Sequence, residues 1–163
     1  MIEYKVDEKE YSALTKVLDT LKASVKDMRP AWERVSDIIY ASLEKNFDAQ
    51  GRPSTWIPLS PRTQRERASQ GFGASGPILE RTGELRRAVS NNSGYLTWLG
   101  SPSELKFIPD MSFGKFQHHT GYVTSFGATV PARPFLFIQD DDHTPILQEL
   151  AFYLAKSIQA AVS

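Results

Sequence analysis

Between residues 9 and 28 the apolar residues Leu14, Val17, Leu18, Leu21, Val25 and Met28 fall three and four positions apart. That is the period of a helix with one face turned inward. Lys16, Asp19, Lys22 and Lys26 occupy its other faces. Arg29-Pro30 interrupts the pattern, because the residue ahead of a proline avoids the α region while the proline itself suits the first turn of a new helix. The second stripe is Trp32, Val35, Ile39, Leu43 and Phe47, with Ile38 and Tyr40 beside it. The two segments read either as an antiparallel helix pair or as one long kinked helix, and both stripes are expected to lie in the core.

Asp48 to Pro53 carries the turn residues that stop a helix. Ser60-Pro61 then reads as an N-cap and first helical residue of a short helix running through Ala68. Gly71, Gly73 and Gly76 mark residues 70 to 77 as a mobile loop. These glycines lack a preceding strand and a following Lys-Ser or Lys-Thr, so they do not form a phosphate loop. Leu85–Ser90 and Tyr95–Gly100, separated by Asn91-Asn92-Ser93-Gly94, predict a β-hairpin. Ser101 to Ser103 is expected to start a single helical turn, Phe113 to His119 another strand, and Gly121 to Thr129 a long loop. Phe135-Leu136-Phe137-Ile138 reads as a buried strand or extended segment. Leu147, Leu150, Leu154 and Ile158 define a C-terminal helix, with Thr144 as cap and Pro145 at its start. Asp140, Asp141 and Asp142 would sit at its positive dipole end. The order of helix, helix, sheet, helix predicts an α+β fold: two N-terminal helices and a C-terminal helix on a small, mainly antiparallel sheet.

Composition narrows the classes. With 163 residues, 40% of them apolar and 23% charged, the chain suits one globular domain over residues 1 to 163. No apolar run is long enough for a membrane span, and no secretory leader is expected. The chain has no cysteine, which removes disulfides, zinc fingers and thiol catalysis. Net charge is zero, an argument against a protein whose main task is coating nucleic acid. The charge is unevenly placed. Residues 1 to 50 carry eight Lys/Arg against ten Asp/Glu, residues 51 to 134 ten against five, and residues 135 to 163 one against four. A basic middle between acidic ends can pair within the chain or between identical neighbours.

Candidate chemistry is sparse. His118-His119 upstream of Asp140-Asp141-Asp142 invites a metal-dependent hydrolase reading, but adjacent strand residues point to opposite faces. One histidine is expected inside the sheet and the other in water. There is no His-Glu-x-x-His and no Gly-x-Ser-x-Gly, so neither a catalytic residue nor a cofactor is expected. Arg62, Arg65, Arg67, Arg81, Arg86 and Arg87 form the one basic region. They are read as a subunit or partner interface, with a nucleic-acid-binding module as the alternative. Glu66, Glu80 and Glu84 dilute the region, and direct DNA contact is not expected.

Four segments in order resemble the phage virion morphogenesis family, the Mu gpG-like tail-completion proteins. They are Gly51-x-x-x-x-Trp56-x-x-Leu59-Ser60-Pro61-x-Thr63, then Ile78-Leu79-Glu80-Arg81-Thr82-Gly83-Glu84-Leu85, then His118-His119 with Gly121, then Pro131-Ala132-Arg133-Pro134-Phe135-Leu136. Gln117 precedes His118 here, whereas the family places glutamine after its histidine. The resemblance covers about residues 10 to 160. It implies a structural, non-enzymatic protein of the virion, made in the bacterial host cytoplasm and acting at the head–tail junction or tail end. Its partners would be other tail or neck proteins. In the particle it would form a homo-oligomeric ring, compatible with a monomer when free. The motif residues Trp56, Leu59, Gly83, His118, Arg133 and Phe135 are read as determinants of the fold.

Overall fold

The computed structural model describes residues 7–90, 96–109, 121–125 and 127–162. Among the described residues, five helices and two short antiparallel hairpins give the expected α+β arrangement: α1 (Glu8–Lys26), α2 (Arg29–Asp48), α3 (Pro61–Ser69), α4 (Glu84–Val89), β1 (Leu96–Gly100), β2 (Leu105–Pro109), β3 (Tyr122–Val123), β4 (Thr129–Val130) and α5 (Asp140–Val162).

Helix α1 starts at a capping box, in which Asp7 accepts from the Glu10 amide (2.7 Å) while the Glu10 carboxylate accepts from the Asp7 amide (3.3 Å). It ends at Lys26 with Asp27 as C-cap, and α2 begins at Arg29 with Pro30 in its first turn. The chain therefore forms two helices, not one kinked rod. They do not fold chiefly on each other; each packs along α5. Ser42 of α2 bonds Asp142, Arg34 pairs with Glu149 (2.9 Å), and the Tyr153 hydroxyl donates to the Asp27 carbonyl (2.9 Å). Helix α5 thus runs antiparallel to α2, reaches the break between the first two helices, and continues along α1.

The core is the α2 stripe closed by distant residues. Val35, Ile39, Tyr40, Leu43 and Phe47 are buried with Trp56, Val89 and Phe135. The Tyr40 ring meets Phe107 edge-on, with centroids 5.3 Å apart. Phe47 meets Trp56 in the same way at 5.6 Å, a favoured aromatic geometry. The α1 stripe departs from expectation. Val17, Leu21 and Met28 are half-buried against α5, but Tyr11, Leu14, Leu18 and Val25 stay more than half exposed. One neighbouring helix covers only one flank of a wide apolar face, so α1 contributes no fully buried residue.

Four further expectations are corrected. The segment read as the first hairpin strand is helix α4, in which Leu85, Ala88 and Val89 share one face against α2. Gly83, at φ +72°, is the N-cap of that helix. The hairpin lies one step later: β1 pairs with β2, Trp98 opposite Phe107, around a turn closed by the Ser101 amide on the Glu104 carbonyl (2.8 Å). That turn is held at the start of α2 by the Met28 amide on Pro102 and by the Trp32 indole on Ser101, each at 2.9 Å, so no helical turn forms there. Within the stretch read as a loop, β3 and β4 pair, Tyr122 opposite Val130. Finally, α5 begins at Asp140 rather than Thr144, because Asp142 in its first turn accepts from the Gln139 amide (2.8 Å). Pro145 therefore lies inside the helix. The strand expected at Phe113 to His119 lies outside the described residues, as do both of those histidines.

Candidate functional site

Two loops that are far apart in sequence close on each other above the core. Trp56 is 5% exposed and its indole N–H donates to the Pro134 carbonyl (3.1 Å). Arg133 answers in the opposite direction: its Nε and Nη2 donate to the Ile57 carbonyl at 3.2 and 3.0 Å. Phe135, fully buried, fills the space behind Phe47. Glycine is required at two points of this latch. At Gly51 (φ +112°) a Cβ would lie 2.7 Å from both the Ser54 oxygen and the Trp56 nitrogen. At Gly121 (φ +76°) a Cβ would lie 2.8 Å from the Ala132 nitrogen. Burial holds the Arg133 guanidinium below its ordinary pKa, with Tyr122 acting the other way.

A polar group under the latch joins α2 to the start of α5. Asn46 is completely buried and its Nδ2 donates to the Phe135 and Phe137 carbonyls, each at 3.1 Å. Gln139, also buried, donates to the Arg52 carbonyl (3.0 Å) and to Asn46 (3.4 Å). Arg52 reaches Asp141 at 2.9 Å. Phe135–Ile138 forms no strand, and only Phe135 is buried, with Phe137 and Ile138 exposed; the Phe135 and Phe137 carbonyls accept from the Asn46 side chain instead of a neighbouring strand.

The six arginines of the basic region do not act alike. Arg86 is surrounded by Asp48 (2.6 Å), Glu44 (2.8 Å) and Glu80 (3.3 Å). Its hydrogen bonds to Glu44 and then Asp48, which accept, raise it above the ordinary arginine range. Arg67 is 5% exposed and bonds the Pro77 carbonyl (3.1 Å), which ties down the far end of the glycine-rich loop. Arg81 lies over the Phe72 ring and donates to Gln70. Arg62, Arg65 and Arg87 are exposed, and among the described residues no carboxylate lies within ion-pair range of them. Arg62, Arg67 and Arg81 do come together, with Arg133, around one cleft of about 800 Å³ between α3, residues 78 to 85 and the β3–β4 hairpin. Leu59, half-buried, forms part of its wall; Arg65, Arg86 and Arg87 do not.

Residues 9–155 match the phage virion morphogenesis family. The chain belongs to that family. The match spans all the features just described, from α1 to the middle of α5. Membership in the phage virion morphogenesis family assigns the protein to building the phage particle, in association with other virion proteins. The family is one of structural assembly proteins. No curated protein and no solved structure shows a significant match.

Among the described residues no group of three or more His, Asp or Glu side chains is placed to hold a metal ion. Asp141 and Asp142 are engaged by Arg52, Gln139 and Ser42. Among the described residues no helix is long and apolar enough to cross a membrane. Asn46, Gln139, Asp142 and the buried state of Arg67 escaped the sequence reading. Asn46 did leave a signal: it is a polar residue seven positions after Ile39 and three after Leu43, on the face that the apolar stripe buries.

Proposed function

We propose that this protein is a tail-completion component that joins tail to head at the neck of a tailed phage particle, where it assembles as a ring of identical subunits. The observation that carries the reading is the family match over residues 9–155, in a chain whose four motif segments stand in the family's order. Arg62, Arg65 and Arg87 support an assembly role, because they are exposed cations with no internal partner among the described residues. In a head-to-tail ring each subunit turns one surface toward a different surface of its neighbour. Exposed arginines on one side and the acidic segments of the chain on the other would set the register of that contact.

Particles assembled without this protein test the assignment. Electron microscopy should show DNA-filled heads and complete, unattached tails; normal infectious particles would overturn the assignment. A double variant, Arg65→Glu with Arg87→Glu, tests the ring contact separately. It should remain folded by circular dichroism and fail to restore infectivity, and full restoration would remove charge pairing as the basis of the ring.

A further inference from the structure

The cleft between α3, residues 78 to 85 and the β3–β4 hairpin contains an arrangement that folding alone does not require. Arg67 and Arg133 both line it, each 5% exposed. Their bonds go to carbonyls only: Arg67 to Gly76 and Pro77, Arg133 to Ile57 and Pro58. Among the described residues no carboxylate lies in ion-pair range of either. The Arg67 Nε is buried and has no hydrogen-bond partner among the described residues. Burying a charge without a counter-charge is among the costliest things a fold can do. The same chain gives Arg86, which is less buried, three carboxylates. Among the described residues Arg67 and Arg133 lack the counter-charge that Arg86 has, which leaves their side of the cleft suited to an anionic group from outside.

We propose that this cleft receives a short segment of a partner protein, in which an aspartate or glutamate flanked by apolar side chains supplies the counter-charge. A guanidinium presents a planar fork of donors that a carboxylate matches two bonds at a time. Leu59, Ile78, Leu79, Leu85 and Val130 give the cleft apolar walls for the flanking side chains. Glu66 and Glu84 also line it and offset part of the charge of Arg62, Arg67, Arg81 and Arg133, which suits a single carboxylate better than the repeated phosphates of a nucleic acid. A volume of about 800 Å³ lies within the range of ligand-binding clefts. This inference stands on the cleft itself and holds wherever in the particle the protein sits.

The test uses the intact protein labelled with nitrogen-15 and follows the Nε–H resonances of Arg67 and Arg133. The probes are acetyl-Leu-Asp-Leu-amide, its Leu-Asn-Leu counterpart, inorganic phosphate and an oligothymidylate strand. The acidic peptide should shift both resonances saturably at millimolar concentration, and the asparagine peptide should bind about tenfold more weakly. Ala128→Glu places a carboxylate at an exposed cleft position without touching the core. It should weaken the acidic peptide several-fold while leaving the melting temperature unchanged. Equal binding of the two peptides, or no shift at either guanidinium up to the solubility limit, would overturn the proposal. So would tighter binding of oligothymidylate or phosphate than of the acidic peptide. Shifts that grow with protein concentration alone would replace the partner with a second copy of this chain. None of these results depends on how particles look in the microscope, so failure here and failure of the neck assignment are separable.

Discussion

At Trp56 two contributions can be separated by substitution. The ring packs on Phe47, and the indole N–H satisfies the Pro134 carbonyl. Trp56→Ala removes both and should cost about 3–5 kcal/mol, which for a chain of this size lowers the melting temperature by roughly 2–4 °C per kcal/mol. Trp56→Phe keeps most of the packing and strands the carbonyl, at about 1–3 kcal/mol. A Trp56→Ala protein that melts like the parent would show that the ring is not a core element. Asn46→Leu should be as damaging as a large core truncation despite its similar size. It leaves the Phe135 and Phe137 carbonyls without donors inside the protein, about 1–3 kcal/mol each. Thermal unfolding of Asn46→Leu beside Ser12→Leu, on the exposed face of α1, checks this; equal melting would refute it. Trp56 and Phe135 were legible in the sequence because large aromatics beside turn residues have few places to go other than the core. Asp142 was not, because one of three consecutive aspartates carries no local mark of being the buried one.

Helix periodicity was legible in α2, which buries one full face; it overstated burial in α1 and in α5, where Leu147 is 64% exposed and Leu150, Leu154 and Ile158 are only half-buried. A stripe records which face is apolar and not how many neighbours arrive to cover it. The consequence is measurable. Leu18→Glu should change stability by less than about 0.5 kcal/mol, whereas Leu43→Ala should cost about 2–5 kcal/mol. Denaturant titration of the two variants decides it, and a large loss at Leu18 would mean that α1 is covered in solution. Helix α4 was misread because Asn91-Asn92-Ser93-Gly94 is a strong turn signal and drew a strand onto its left. The spacing of Leu85, Ala88 and Val89 is helical, but over six residues that pattern is too short to prevail. The start of α5 was placed late because proline ordinarily opens a helix; here the Asp142 carboxylate, bonded to the Gln139 amide, starts it earlier.

Across the whole molecule, the acidic, basic and acidic thirds of the chain are visible in the sequence, but the charges already used internally are not. Arg86 meets Glu44 and Asp48 across 42 and 38 residues of chain. Arg86→Glu should therefore destabilise the folded protein, on the order of 2 kcal/mol after solvent screening, whereas Arg87→Glu should be nearly silent. Melting curves at low and high salt check both, with the parent's advantage over Arg86→Glu narrowing as salt rises. Equal melting of the two variants would remove the hub from the account. The longest-range consequence comes from the way α5 spans the break between the first two helices. Residues 7–19 are exposed apart from half-buried Val17, and the Tyr153 bond to the Asp27 carbonyl sits at the seam. Backbone amides in the first half of α1 should exchange with solvent through a small local opening, while those of Val35 to Phe47 wait for global unfolding. Tyr153→Phe should speed the first set and leave the second alone; equal protection along both helices would refute it. Mechanically, α1 should then yield before the rest of the body does, opening along α5 while the latch and its cleft stay closed.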